Sequence, residues 1–162
     1  MKTTPKTTPI SLADYRALGA FRYEIRKFLA FSEQAARGAG IEPKQHQLLL
    51  AVQSLPDGAR PTIAAVAVRL CVQHNTAVAL VDKLETRGMI LRERSKEDRR
   101  EVHLRLTPEG TAILRSLSFL HRQQLRNVGP EMVAALSTIL GDMRKPARPR
   151  TATRDGRKSA TP

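Results

Sequence analysis

The apolar residues Leu12, Tyr15, Leu18, Ile25, Phe28 and Leu29 recur at three- and four-residue steps, with Arg16, Arg22, Arg26 and Lys27 interspersed. That period predicts an amphipathic helix from Ser11, with Asp14 in its first turn where an acid suits the helix dipole. The small-residue run Gly38-Ala39-Gly40 ends it. Pro43, preceded by Glu42, opens a second helix, because proline is tolerated in a first turn. Leu48, Leu49, Ala51 and Val52 form its apolar side, and Pro56-Asp57-Gly58 turns the chain out of it. Near the C-terminal end, Thr107-Pro108-Glu109 restarts a helix lined by Ile113, Leu114, Leu117 and Leu120. Gly129-Pro130 is expected to break that helix. A last one, from about Glu131, is expected to bury Met132, Val133, Leu136, Ile139, Leu140 and Met143. The first helix is too long to have a core of its own, so it should pack on a partner chain or on the C-terminal helices. Two arrangements fit: a hydrophobic dimer seam and an intramolecular bundle.

The middle of the chain, Thr62 to Thr107, changes pattern. Thr62 can cap a helix whose apolar positions are Ile63, Val66, Ala67 and Leu70. A short break at Cys71-Val72 leads into a second helix, Gln73–Arg87, with Ala77, Leu80, Val81 and Leu84 as one stripe. Gln73, His74, Asn75, Val78 and Lys83 face the other way. Gly88 stops this helix, and Met89-Ile90-Leu91 enter a strand. Its return partner alternates Val102, Leu104 and Leu106 with His103 and Arg105. The charged tip between the strands, Arg92–Arg100, holds Arg92, Arg94, Lys96, Arg99 and Arg100 against Glu93, Glu97 and Asp98. The expected fold is mainly α with a small β-wing, a winged helix-turn-helix lobe flanked by helices.

The run LVDKLETRGMI, followed by DRR and LRLTPEG, resembles the MarR family of bacterial winged-helix regulators. Thr62 to Gly110 matches nearly without gaps, and the flanking helices fit from about Ser11 to Arg144. The resemblance implies a homodimer that binds a palindromic double-stranded DNA operator. It implies commonly a repressor, released by a small aromatic or anionic ligand, although repression and activation both remain open. Arg60-Pro61 lies where the family often adds a third small strand. Gln73 stands where the family often has a capping serine, and Ala79 where it often has a basic residue.

The domain organisation expected is a disordered tail over 1–9, a winged-helix domain over 10–144 and a disordered basic tail over 145–162. Within the domain, the DNA-binding lobe spans about 43–106 and the dimerisation helices about 11–38 and 107–144. Net charge is +13, the electrostatic footprint of a nucleic-acid binder. Lys2 and Lys6 lie in the first tail; Lys145, Arg148, Arg150, Arg154, Arg157 and Lys158 lie against Asp155 in the second. About +6 remains for the residues between, so the folded part is basic too. A single cysteine excludes an internal disulfide framework, no apolar run reaches membrane length, and no signal peptide is expected from the polar stretch MKTTPKTTPI. A cytoplasmic location follows as the expectation.

Gln73, His74 and Asn75 occupy the first turn of the second helix, the part that reaches base edges in a major groove. Thr76 and Lys83 suit phosphate, with Val78 on the same surface. Arg94, Lys96, Arg99 and Arg100 on the hairpin suit a narrow minor groove. The resemblance gives Asp98 and Arg100 the family's wing-tip acid and arginine positions, with the acid orienting the arginine. It also places a ligand pocket between the dimerisation helices and the lobe, with Tyr15, Arg22, Arg26 and His46 as its expected lining. An arginine and a histidine beside apolar groups would hold a carboxylate or phenolate. Arg22 equally suits a surface ion pair, and His46 a structural role. His46, His74, His103 and His121 lie on different elements without metal-ligand spacing. Cys71 sits at the turn, where a small buried residue is expected. No catalytic group, metal or cofactor is expected. An architectural DNA-binding protein without an effector and, behind it, a protein-interaction module are the competing classes.

Overall fold

The computed structural model describes residues 9–95 and 101–141, and every structural statement below concerns those residues. Helix α1, Leu12–Gly38, starts at a capping box: Ser11 Oγ accepts from the Asp14 amide at 3.2 Å, and Asp14 Oδ2 accepts from the Ser11 amide at 2.7 Å. That amide bond holds the Asp14 carboxyl below its usual range. Helix α2, Pro43–Gln53, follows a tight corner, with Gln45 Oε1 accepting from the Glu42 amide at 2.9 Å. Helix α3, Ile63–Arg69, is capped by Thr62, whose hydroxyl accepts from the Ala65 amide at 3.2 Å. Helix α4, His74–Thr86, begins after Gln73, which occupies the cap position without making a side-chain cap bond.

Strands β1, Ile90–Arg94, and β2, Val102–Leu106, form one antiparallel pair, with Ile90 opposite Leu106 and Arg94 opposite Val102. The Arg60-Pro61 segment adds one backbone bond to this sheet, Leu104 N to Pro61 O at 2.7 Å, and stays outside the ladder. The wing thus begins later than the charge pattern suggested, because Arg92, Glu93 and Arg94 are strand residues. Arg92 shares the inner face of the hairpin with Ile90 and Leu104. The core lies among α2, α3, α4, the hairpin and the start of α5, with Leu48, Leu49, Val66, Val81, Leu84, Ile90 and Leu117 fully buried.

Helix α5, Pro108–Gly141, is continuous, which corrects the expected break at Gly129-Pro130 and the separate last helix. Proline loses one helical bond and crowds the preceding turn. Two features carry the helix through. Gly129 has no Cβ to meet the proline ring, which removes part of the clash that usually drives the preceding residue out of helical geometry. Val128 and Ala135 are both buried, so the helix is packed on each side of Pro130. The partner is α1, and these two form the most extensive helix pairing in the chain. Along them Leu12, Tyr15, Leu18, Val133, Leu136 and Leu140 are exposed rather than buried. Cys71 is a second correction. It is exposed with φ of 52°, because the turn between α3 and α4 needs left-handed backbone there; the adjacent Val72 is the half-buried residue. Lys96, Asp98, Arg99 and Arg100, and the segments 1–8 and 142–162, which include Met143 and Arg144, lie outside the described residues.

The start of α5 fixes a close approach. Thr107 Oγ1 accepts from the Gly110 amide at 3.0 Å and donates to Gly88 O at 2.7 Å, while the Thr107 amide donates to Met89 O at 3.1 Å. A Cβ on Gly110 would stand 2.1 Å from that same Met89 oxygen. Gly110→Ala is therefore expected to lower stability by about 1–3 kcal/mol in urea denaturation, the usual range for overpacking. Gly19→Ala, in open space on α1, should be neutral or stabilising by up to about 1 kcal/mol. Equal effects from the two would show that the contact with Met89 carries no weight.

Candidate nucleic-acid interface and the cavity behind it

The helical period of α4 sorts its side chains. Ala77, Val81 and Leu84 are buried, while Gln73, His74, Asn75, Thr76 and Lys83 are exposed and Val78 is half-buried. Lys83 lies seven residues, or two turns, beyond Thr76 and so shares its face. Among the described residues, the side chains of Gln73, His74, Asn75 and Thr76 make no hydrogen bond to the rest of the chain. The first turn is thus a projecting polar surface.

The other end of α4 is clamped. Arg87 donates to Gly40 O at 2.8 Å and to Gln45 Oε1 at 3.2 Å, joining α4 to the α1–α2 corner. Arg92 pairs with Asp82 at 2.5 Å and with Glu85, joining β1 to α4. Hydrogen bonding to Asp82, then Glu85, raises the Arg92 pKa further, and its charge is satisfied internally. Across the outer face of the hairpin Arg105 pairs with Glu93 at 2.6 Å, a diagonal neighbour in the register. Glu101 accepts from Arg60 at 2.7 Å and lies 3.3 Å from His103 Nε2. Bonding to His103 first and Arg60 second holds the Glu101 carboxyl below its usual range. Arg94, at the end of β1, stays exposed. Of the basic residues expected on the wing, Arg94 is the one the described residues place at the surface; Lys96, Arg99 and Arg100 lie outside them, as does Asp98.

Behind α4 a cavity of about 590 Å³ opens among α1, α2, α3 and α5. His46 lines it, whereas Tyr15, Arg22 and Arg26 are exposed and absent from its lining, since the cavity meets α1 further along, at Phe28, Leu29 and Ser32. Sequence reasoning missed His121, Arg69 and Arg122, which also line it. His121 was legible as the residue four after the buried Leu117, on the same helical face. Its ring stacks on His46, with centroids 4.8 Å apart, and meets Phe28 and Phe31 edge-on. His121 Nδ1 lies 2.5 Å from Leu117 O, so this nitrogen carries the proton; Nε2 lies 2.7 Å from Ser32 Oγ. One histidine therefore connects α1, α2 and α5. Burial, and secondly the neighbouring His121, push the His46 pKa down to about 4, so its ring is neutral at pH 7.

Two helices at a tight turn, the second presenting its first turn outward and a hairpin following, define a winged helix-turn-helix protein. Comparison with known proteins agrees. The MarR family model matches residues 39–101. A candidate transcriptional regulatory protein for the hcr operon of Thauera aromatica is 30% identical over 93 residues, 57% of this chain and 54% of that protein, so the chain spans about half the length of this relative. The structure of Streptococcus pneumoniae FabT in complex with DNA is similar with a TM-score of 0.62 at 26% identity, covering 80% of this chain and 94% of that one. CouR from Rhodococcus jostii RHA1, bound to p-coumaroyl-CoA, has the same fold, with a TM-score of 0.60 at 21% identity over 80% of this chain and 95% of that one. In sequence the chain is similar to the MarR family over residues 39–101, and in fold it is similar to solved MarR family regulators.

The neutral, buried His46 makes stability depend on pH. The unfolded histidine titrates near 6.5 and the folded one near 4, so acid protonates the unfolded chain first. The His46 contribution is complete above pH 6.5 and is lost as the pH falls toward 4. Between pH 7 and pH 5 it amounts to about 2 kcal/mol. In urea denaturation the stability gap between wild type and His46→Gln should shrink by roughly that amount over this interval. A gap independent of pH would mean that His46 titrates normally in the folded protein.

Proposed function

We propose that the chain is a sequence-specific regulator of transcription that binds double-stranded DNA as a homodimer in the cytoplasm, acting as a repressor released by a small aromatic or anionic ligand. The projecting first turn of α4 carries the reading. Its polar side chains are exposed and engaged with nothing else in the described chain, whereas the helix behind them is clamped at its far end. Gln73 and Asn75 carry amides that can bond an adenine edge in two places, and His74 can meet a guanine edge. Thr76 and Lys83 share a face suited to phosphate, and the half-buried Val78 offers an apolar contact beside them. Arg94 at the hairpin extends the basic surface, and Lys96, Asp98, Arg99 and Arg100 are proposed to continue it into the minor groove.

The exposed apolar positions of α1 and α5 favour the dimer. Leu12 and Val133 are more than 60% exposed in the single chain, on the helices expected to form the seam. Two lobes would then meet successive major grooves of a palindromic operator, roughly 34 Å apart. FabT, whose structure contains DNA, and CouR, whose structure contains an acyl-CoA, lend support for the two kinds of partner. For the ligand, His46 remains in the proposed site through the cavity; Tyr15, Arg22 and Arg26 belong to it only where a partner chain completes the cavity.

A preferred duplex selected from a random-sequence pool tests the reading. Gln73→Ala or Asn75→Ala should cost about 1–3 kcal/mol on that duplex, relax the preference at one position and leave affinity for unrelated DNA nearly unchanged. Sedimentation should find a dimer at micromolar concentration. A monomer that still selects a palindrome tightly, or mutants that weaken all sequences equally, would overturn it.

A further inference from the structure

The charge of the cavity behind α4 carries a residue assignment, which rests on the effector reading above. Apolar walls come from Phe28, Leu50, Leu70 and Leu125, and no Asp or Glu lines the space. Burial leaves His46 uncharged at neutral pH, so it is not the cation expected of it for an acid group. Two permanent positive charges remain in the lining: Arg69 in the last turn of α3 and Arg122 on α5. Neither pairs with a carboxylate among the described residues. Arg69 donates to the Ser54 carbonyl at 2.5 Å, and Arg122 lies with its guanidinium carbon 5.9 Å from the centre of the Phe119 ring. Two guanidinium groups at the edge of an apolar space, with no carboxylate partner among the described residues, select an amphipathic anion over a neutral or cationic ligand. A volume of about 590 Å³ suits a molecule of one or two aromatic rings.

We propose that Arg69 is the anion-reading residue of this cavity: the carboxylate of an aromatic acid takes its guanidinium as a two-pronged acceptor, with Arg122 as the second donor, and draws it off the Ser54 carbonyl. A planar fork bound to a single carbonyl has donors to spare, and a carboxylate is the stronger acceptor. The consequence is mechanical. Arg69 belongs to the first helix of the helix-turn-helix, and its bond to Ser54 closes the connection between α2 and α3. Arg122 belongs to the long helix that packs on α1. An acid held by both ties the lobe to the helical frame and releases the α2–α3 closure, so occupancy is felt by the lobe that carries α4.

The chain has no tryptophan and two tyrosines, so the fluorescence of 2-naphthoate can be followed directly in the full-length protein. Titrate 2-naphthoate and its neutral amide into wild type, Arg69→Gln, Arg69→Lys and Arg122→Gln, then repeat with the selected duplex present. Wild type should bind the acid at least about tenfold more tightly than the amide, as a charge-assisted contact requires. Arg69→Gln should lose about tenfold or more on the acid and nothing on the amide, Arg69→Lys should recover part of the loss, and Arg122→Gln should show a smaller loss. An acid bound no more tightly than its amide by wild type, absence of both included, overturns the assignment, as does an Arg69→Gln loss equal for both probes. The two readings separate cleanly. Acid that binds through Arg69 without changing DNA affinity leaves the residue assignment standing and sinks the effector reading. Acid that weakens DNA binding but ignores Arg69→Gln does the reverse.

Discussion

The turn Arg87-Gly88-Met89 is the constraint on which the other elements depend. Arg87 reaches the α1–α2 corner through Gly40 and Gln45. Gly88, with φ of 67°, ends α4 in a left-handed residue and offers its carbonyl to the Thr107 hydroxyl. The Met89 amide closes back on Leu84 O at 2.9 Å, and its carbonyl takes the Thr107 amide while lying against Gly110. Three consecutive residues thus fix the end of α4, the first strand, the corner beneath them and the start of α5. Such bonds are worth about 1 kcal/mol each when paired and cost more when one partner is removed. Their effect here is geometric: they set four elements in one frame.

Much of this was legible in the sequence, because each signal was local. Ser11 and Thr62 announce helix starts through side-chain chemistry that acts within three residues, and Gly88 announces an end through backbone freedom. The alternation of Val102, Leu104 and Leu106 fixes the inner face of the hairpin without reference to anything distant. Pro130 misled because its cost is also local, whereas what offsets it, the burial of Val128 and Ala135 along α5, is tertiary. Cys71 misled for the opposite reason. A small residue at a turn reads as a buried one until the left-handed backbone turns it toward water.

The cavity was the least legible part, and its chemistry explains why. His46 and His121 stand 75 positions apart, and nothing in the spacing of either predicts that their rings stack. Once stacked, they change character together. The inner ring is kept neutral, and the outer one spends its nitrogens on Leu117 and Ser32. Charge in this region therefore comes from Arg69 and Arg122, residues whose helical positions look like ordinary solvated faces. A pattern of apolar and polar positions records what is buried. It does not record which cation lacks a carboxylate among the described residues.

The two ends of α4 divide its work. Its N-terminal turn projects side chains that make no hydrogen bond among the described residues, so it can meet a partner surface without breaking one of these. Its C-terminal half is held by Arg87 and by the Arg92 pairs to Asp82 and Glu85, so it transmits force rather than absorbing it. A ligand in the cavity behind it has little prospect of bending this helix in place, since Val81 and Leu84 are packed in the core and the clamps would all have to open. The stack of His46 on His121 joins α2 to α5, and the His121–Ser32 bond joins α5 to α1, so a ligand beside these rings meets all three helices at once. A ligand shifts an equilibrium only by its difference in affinity between two states. In this chain α4 is held by its buried side chains and by the Arg87 and Arg92 clamps, so under the proposed control a ligand would act on the spacing of the two α4 helices of a dimer and not on their shape.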